Sequence, residues 1–226
     1  GIFWSLLNPL LNVLIFTFIF TVIIKIDIKN YPLYLLCTIF PWSFFNSALI
    51  NSVVAIVEDE HFVKNTFFPY EAIPLAVVLT NLINFLIDLL IMILILFLLG
   101  KGMTLAWLYI PYLIFIEFIL ACGLSILAAG VYVRFRDLNF ILNFSLRLFF
   151  YFLPVIYTLD FVPRKLQAVY LCNPLAAVID GFAKVLFYGR APDLRWLAIA
   201  TLETAVIFIL CFNLFQRMKR ALPEQL

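Results

Sequence analysis

The chain has 226 residues, of which 66% are apolar and 12% charged, with a net charge of +2 and a mean hydropathy of +1.13. Soluble domains run at about 45–50% apolar and about 25% charged, so a soluble fold is excluded for want of polar surface. The small net charge and the absence of a basic run give no footing for nucleic acid. Cys37, Cys122, Cys172 and Cys211 are scattered without a C-x-x-C pair, which argues against a zinc or disulfide framework and for small buried apolar residues. The expectation is one all-helical integral membrane domain over 1–226. The chain opens on Gly1 with no cleavable signal before the first apolar run, and we expect the authentic N-terminus to lie upstream.

Six apolar stretches are long enough to cross a roughly 30 Å hydrocarbon core at about 1.5 Å per residue. The first is 2–24, broken only by Ser5, Asn8, Asn12, Thr17 and Thr21. A polar loop with Lys25, Asp27, Lys29 and Asn30 leads to the second, 34–57, entered through Tyr31, Tyr34, Phe40, Trp42, Phe44 and Phe45. Then comes "VEDEHFVKNTFFPYE", 57–71, an acidic and aromatic interruption between two hydrocarbon runs. The third span is 73–99, ended by the turn Gly100–Lys101–Gly102. The fourth is 105–133, the fifth 138–159 and the sixth 194–216, followed by Arg217, Lys219 and Arg220. A count of Lys and Arg over all loops does not decide orientation. The C-terminal cluster argues that this end is cytoplasmic, and Arg134 and Arg136 then fall on the same side.

Residues 160–193 break the rhythm. In "NPLAAVIDGFAKVLFYG", Asn173 can cap a helix, Pro174 suits its first position and Gly189 can end it. Leu175, Val178, Ile179, Phe182 and Leu186 share one face, while Asp180 and Lys184, four apart, can pair on the other. Pro163 opens a second short helix carrying Leu166, Val169 and Tyr170. Two short helices in a row predict a re-entrant or interfacial hairpin beside a pathway. A surface loop with incidental helices is the plainer reading.

Asp88, Glu117, Arg147 and Glu203 fall inside the last four spans, where charge is costly. Arg147 is expected to pair with Glu117 or Glu203 as glue between helices; nothing resembles a chain of proton-relay sites. His61, the only histidine, sits in a polar loop and suits solvent or an interface rather than a metal. "GKGMT" at 100–104 lacks P-loop spacing, and no H-E-x-x-H, G-x-S-x-G or paired acidic motif occurs. No catalytic, metal or cofactor site is expected. The remaining signal is aromatic: 26 Phe, 10 Tyr and 4 Trp, densest in "FFYFLPVIYTLDF", 149–161, around Pro154. Sugars rest C–H faces on such rings, though ordinary packing also uses them. On the fifth span Tyr151 shares the side of Arg147 and should face the interior or a pathway, with Phe149 off it.

The order and spacing of "GIFWSLLNPLL" (1–11), "FPWSFF" (40–45), "RFRDL" (134–138), "LPVIYTLDFVP" (153–163) and "NPLAAVIDGF" (173–182) resemble ABC-2 type permeases over the whole chain. The likeness is greatest to the transmembrane subunits of polysaccharide ABC exporters, which move O-antigen, capsule or teichoic acid. The resemblance implies six transmembrane helices plus the hairpin at 160–193 on the outer side. It implies a homodimer in the bacterial cytoplasmic (inner) membrane, with two cytoplasmic ATPase subunits that bind ATP and Mg. It makes 57–71 a coupling helix docked on the ATPase, with Glu58, Asp59 and Glu60 at its positive end and Phe62, Val63, Phe67 and Phe68 as apolar anchors. The family's amphipathic helix before the first span is not in this sequence. Trp4, Trp42, Phe45, Tyr151 and Tyr157 become candidate substrate-pathway residues. Arg136, Asp137, Arg147, Pro154, Asn173, Pro174, Asp180 and Lys184 become candidate structural or gating residues. The expected cargo is a lipid-linked glycan. An ABC-2 exporter of a drug or lipid is the alternative. An integral-membrane enzyme of lipid-linked sugar metabolism would need a carboxylate metal motif, and an ion-coupled transporter an internal repeat; neither is present in the sequence.

Overall fold

The computed structural model describes residues 2–23, 25, 28, 30–58 and 69–219. Helix α1 spans Ile2–Thr17 and runs on as a π-helical turn, Phe18–Ile23. Then follow α2 (Tyr31–Glu58), α3 (Ala72–Leu98), a 3-10 turn (Leu105–Tyr109) feeding α4 (Ile110–Arg134), and α5 (Leu138–Phe152). A 3-10 turn (Leu159–Phe161) leads to α6 (Arg164–Leu171) and to α7 (Pro174–Phe182), which continues as a π turn, Ala183–Phe187. Helix α8 (Leu194–Lys219) closes the described chain. No strand occurs among the described residues, and the all-helical expectation holds.

Four of these elements are long and apolar enough to cross a membrane: α2, α3, the 3-10 turn with α4, and α8. Helices α6 and α7 meet at 106° and make a fifth if taken as one broken span. The six expected spans are therefore not all present at full length. The segment expected as a helix over 138–159 stops at Phe152, after 15 residues or about 22 Å. Pro154 is the reason. A proline disfavours the helical conformation in the residue before it, and Leu153 is extended at φ −88°, ψ 154°.

Helix α2 is the centre of the bundle, with α1, α3, α4, α5 and α7 packed around it. It is buried along most of its length although it carries Thr38, Ser43, Asn46, Ser47, Asn51 and Ser52. Helix α3, almost pure hydrocarbon, leaves Leu90 66% and Leu98 78% exposed. The inversion follows from the solvent. In a bilayer the outward surface must be apolar, and polar side chains are tolerated where helices face each other. Where α4 meets α8 the contact depends on small residues: a Cβ on Gly123 would lie 2.9 Å from the Cα of Phe208.

The irregular stretch after α5 is held by α2. Tyr31 Oη donates to the Ile156 carbonyl at 2.6 Å and Thr38 Oγ1 to that of Val155 at 2.7 Å. Tyr34 Oη donates to the carbonyls of Pro154 (3.1 Å) and Tyr157 (2.7 Å). Four consecutive carbonyls freed by the broken helix thus find donors inside the protein, the condition for non-helical backbone at membrane depth. Of the two forms expected for the hairpin, re-entrant or interfacial, the 106° bend and the burial of α7 favour the re-entrant one. All residues of α7 from Pro174 to Leu186 are buried except Asp180 and Lys184, because α2, α4 and α8 surround it. Those two form an ion pair at 2.7 Å.

Candidate functional site

A cavity of about 500 Å³ lies between α1, α2 and α5. Helix α1 contributes Asn12 and Phe16, one turn apart. Helix α2 contributes Ile39, Trp42, Ser43, Asn46, Ser47 and Ile50, a stripe at helical spacing. Helix α5 contributes Asn143, Arg147, Phe150 and Tyr151, again one face. The rings form a wall. Phe150 lies 5.4 Å from Phe16, 5.8 Å from Trp42 and 5.3 Å from Tyr151, centroid to centroid. The other lining groups are amides, hydroxyls, one guanidinium and the aliphatic side chains of Ile39, Ile50 and Leu146. Neutral hydrogen-bonding groups beside aromatic faces are what a sugar polymer needs. Nothing here is arranged as nucleophile and base, and no cluster of metal-ligating side chains occurs among the described residues.

The opposite face of α5 borders a second cleft, about 570 Å³, lined by Phe45, Leu49, Leu120, Leu124, Leu142, Phe149, Pro174 and Ile207. Leu146 lines both spaces, so one helix divides a polar cavity from an apolar one.

The candidate pathway residues therefore separate. Trp42 and Tyr151 line the polar cavity. Phe45, expected with them, is turned into the apolar cleft. Tyr157 does not line the cavity; its hydroxyl proton is shared between the Tyr151 and Phe152 carbonyls (3.2 and 3.0 Å), with Tyr170 Oη 3.3 Å away, tying off the end of α5. Trp4 lies in α1, and its side chain is outside the described residues. Phe149 faces the apolar cleft, on the other side of the helix from Tyr151.

The expected pairing of Arg147 with Glu117 or Glu203 is corrected. Glu117 is fully buried, and neither of its carboxylate oxygens, nor Oε2 of Glu203, has a hydrogen-bond partner among the described residues. Arg147 instead lines the polar cavity. Similar depth in neighbouring spans did not bring the side chains together, because Arg147 points away from α4 and α8. A lone charge at mid-membrane costs roughly 2.5–3.5 kcal/mol on insertion scales, and a polar cavity lowers that cost.

Among the structural candidates, Asn173 Oδ1 accepts the Leu175 N–H at 3.0 Å, with Pro174 at the first helical position, so this pair starts α7. The carbonyl of Pro154 is one of those held by α2. Arg136 and Asp137 lie in the exposed turn between α4 and α5, where the guanidinium of Arg136 stacks 5.3 Å over the Tyr132 ring. Of the residues expected to dock on an ATPase, Glu58 is the exposed last residue of α2. Asp59, Glu60, Phe62, Val63, Phe67 and Phe68 lie outside the described residues.

Sequence reasoning did not select Ser43, Asn46, Ser47 or Asn143. Their signal was the recurrence of small polar residues at three- and four-residue steps on the faces that carry Trp42 and Arg147. It also missed the clamp that follows residues 59–68. Glu71, just before α3, accepts Lys219 Nζ at 2.8 Å and Gln216 Nε2 at 3.4 Å, both from the end of α8. Burial opposes ionisation of Glu71, but the lysine's hydrogen bonds and charge outweigh it and hold the carboxyl below its usual value.

Comparison with known proteins bears on this geometry. A model of the family described as ABC-2 type transporter matches residues 1–187. The chain is 31% identical over 225 residues to the O-antigen export system permease protein RfbA of Klebsiella pneumoniae, covering 99% of this chain and 86% of that protein. A second K. pneumoniae protein of that name is 30% identical over the same shares. One from Myxococcus xanthus is 26% identical over 228 residues, 100% of this chain and 88% of that protein.

Proposed function

The chain belongs to the ABC-2 type transporter family, and on that premise we propose that it is the membrane subunit of an ATP-driven exporter of a lipid-linked polysaccharide. The observation that carries the reading is the cavity between α1, α2 and α5. Its hydroxyls and amides suit sugar hydroxyls, and Trp42, Phe150 and Tyr151 offer flat faces without fixed polar stops, which lets a long chain slide. The names of the aligned relatives support the same cargo class.

In this reading the chain does no chemistry itself. A separate cytoplasmic ATPase binds ATP and Mg and docks on the 57–71 loop. Two copies of the chain enclose the channel in a bacterial cytoplasmic membrane. Six segments cross: α1 with its π turn, α2, α3, α4, α5 extended by the hydrogen-bonded stretch 153–158, and α8. The cargo enters near the inner leaflet and leaves past the 160–193 hairpin. The test is reconstitution of the chain with its ATPase in proteoliposomes. ATP-dependent appearance of lipid-linked glycan across the bilayer is expected, and Phe67→Asp should cut both co-purification of the ATPase and export. Transport of a drug or simple lipid with none of glycan would refute the cargo assignment.

A further inference from the structure

Two ion pairs occur among the described residues: Asp180–Lys184 within α7, and Glu71–Lys219 between the start of α3 and the end of α8. Only the second joins two helices. Lys219 Nζ lies 2.9 and 2.8 Å from the two carboxylate oxygens of Glu71, so one ammonium engages both, and Gln216 Nε2 donates to Oε1 at 3.4 Å. The Glu71 carbonyl accepts the Leu75 N–H at 3.3 Å, which fixes this anchor to the first turn of α3. At its other end α8 meets the hairpin. Ala200 is fully buried in a cluster with Leu171 of α6 and Ala177 of α7, and Leu159 and Trp196 pack against it. One unbroken helix joins the two contacts, and from Ala200 to Lys219 it runs about 28 Å at 1.5 Å per residue.

We infer that Glu71 and Lys219 are positioning residues for export: their pairing makes α8 follow the start of α3, and α8 carries that displacement across the membrane to the 160–193 hairpin. Helix α3 packs along α2 and α4, and α8 along α4 and α7, so the pair is where a shift at the start of α3 reaches α8 directly. Apolar contacts are non-directional and let helices slide. A carboxylate held through both oxygens is fixed in distance and angle. At the outer end the contact is between alanines, small side chains that bring two helices close and leave little room for one to move without the other. The inference deepens the export reading and rests on it, since it takes the ATPase to push on the segment ahead of α3.

The test uses the chain assembled with its ATPase in proteoliposomes and two readouts. The first is glycan exported per ATP hydrolysed. A variant that is only less stable loses export and hydrolysis together and leaves this ratio unchanged. Lys219→Met should lower it about two- to fivefold, the range that loss of one part-exposed ion pair allows. Lys219→Arg, which keeps the charge, should stay near wild type. Glu71→Gln should match Lys219→Met and serves where that variant does not fold. The double variant should be no worse than either single one, because both break the same tie. The second readout is the rate at which N-ethylmaleimide labels Cys172, which follows Leu171 in the hairpin and is the exposed one of the four cysteines. A non-hydrolysable ATP analogue should change that rate in wild type and change it less in Lys219→Met. An unchanged export ratio in Lys219→Met overturns the inference, as do single losses that multiply in the double variant. Labelling that ignores the nucleotide in wild type, or responds equally in both proteins, overturns it too. Labelling needs no glycan, so a wild type that exports none refutes the cargo assignment while the labelling still decides the role of the pair.

Discussion

Replacing Tyr34 with Phe removes one oxygen atom and leaves the ring in place. That oxygen donates to two carbonyls, Pro154 at 3.1 Å and Tyr157 at 2.7 Å, and the residue is buried. Two limits bracket the cost. A buried acceptor stripped of its donor loses about 1–3 kcal/mol, which would give several for the pair. Hydrogen bonds between helices in membrane proteins average only about 0.6 kcal/mol, with a maximum near 1.7. The membrane figures are low because the reference state finds other partners, and carbonyls locked in an irregular turn have few. We therefore expect Tyr34→Phe to cost about 1–2 kcal/mol, and the double variant with Thr38→Val, which also frees the Val155 carbonyl, about 2–3 kcal/mol. Steric-trap unfolding in bicelles measures the free energy, and hydrogen–deuterium exchange reports opening of 153–158. If Tyr34→Phe lies within a few tenths of a kcal/mol of wild type and exchange at 153–158 is unchanged, the clamp is not what holds this segment.

At Gly123 an added methyl meets backbone, so Gly123→Ala should force α4 from α8 and cost about 1–3 kcal/mol, whereas Gly102→Ala, with nothing within 4 Å, should be near neutral; thermal unfolding in detergent compares them. The Glu71–Lys219 pair sets a pH dependence. The carboxyl of Glu71 is depressed below its ordinary 4.5 in the folded chain, so its contribution is complete above 4.5 and is lost as pH falls through the folded value. Lys219→Met should therefore lower stability by roughly 0.2–1 kcal/mol at neutral pH, with the gap to wild type closing on acidification, and a constant gap would argue against the linkage. In reconstituted export, Tyr151→Ala should reduce movement of long glycans more than Phe149→Ala does, because only Tyr151 lines the polar cavity. Equal losses would make both rings packing residues.

Helix positions were legible because a bilayer demands unbroken apolar runs, and α2, α3, α4 and α8 coincide with such runs to within a few residues. The short helix at 174–187 was legible from Asn173, Pro174 and Gly189, whose chemistry is local. Azimuth was not. Arg147 and Glu117 both sit in spans, yet which way each points depends on how three helices pack, and spacing within one helix carries no such information. For the same reason Phe45, three residues from Trp42, went to the other side of α5. Tyr157 looked like part of an aromatic track and is used for its hydroxyl. Its role depends on where the helix ends, five residues earlier. The 57–71 stretch drew attention by its acidity in the sequence, while the clamp at Glu71 went unnoticed because Lys219 is distant in sequence.

Helix α5 has comparable voids on its two sides, about 500 and about 570 Å³. A helix wedged between close-packed neighbours must break dispersion contacts on one flank before making any on the other. With space on both flanks, a sideways step closes one void as it opens the other, and the summed free volume hardly changes. The far end of α5 is tethered through the carbonyls held by α2, while the near end joins α4 by the short exposed turn at 135–137. Mechanically that is a lever with a fixed fulcrum, and a stroke that parts Phe150 from Phe16 and Trp42 would widen the wet side at the expense of the oily one.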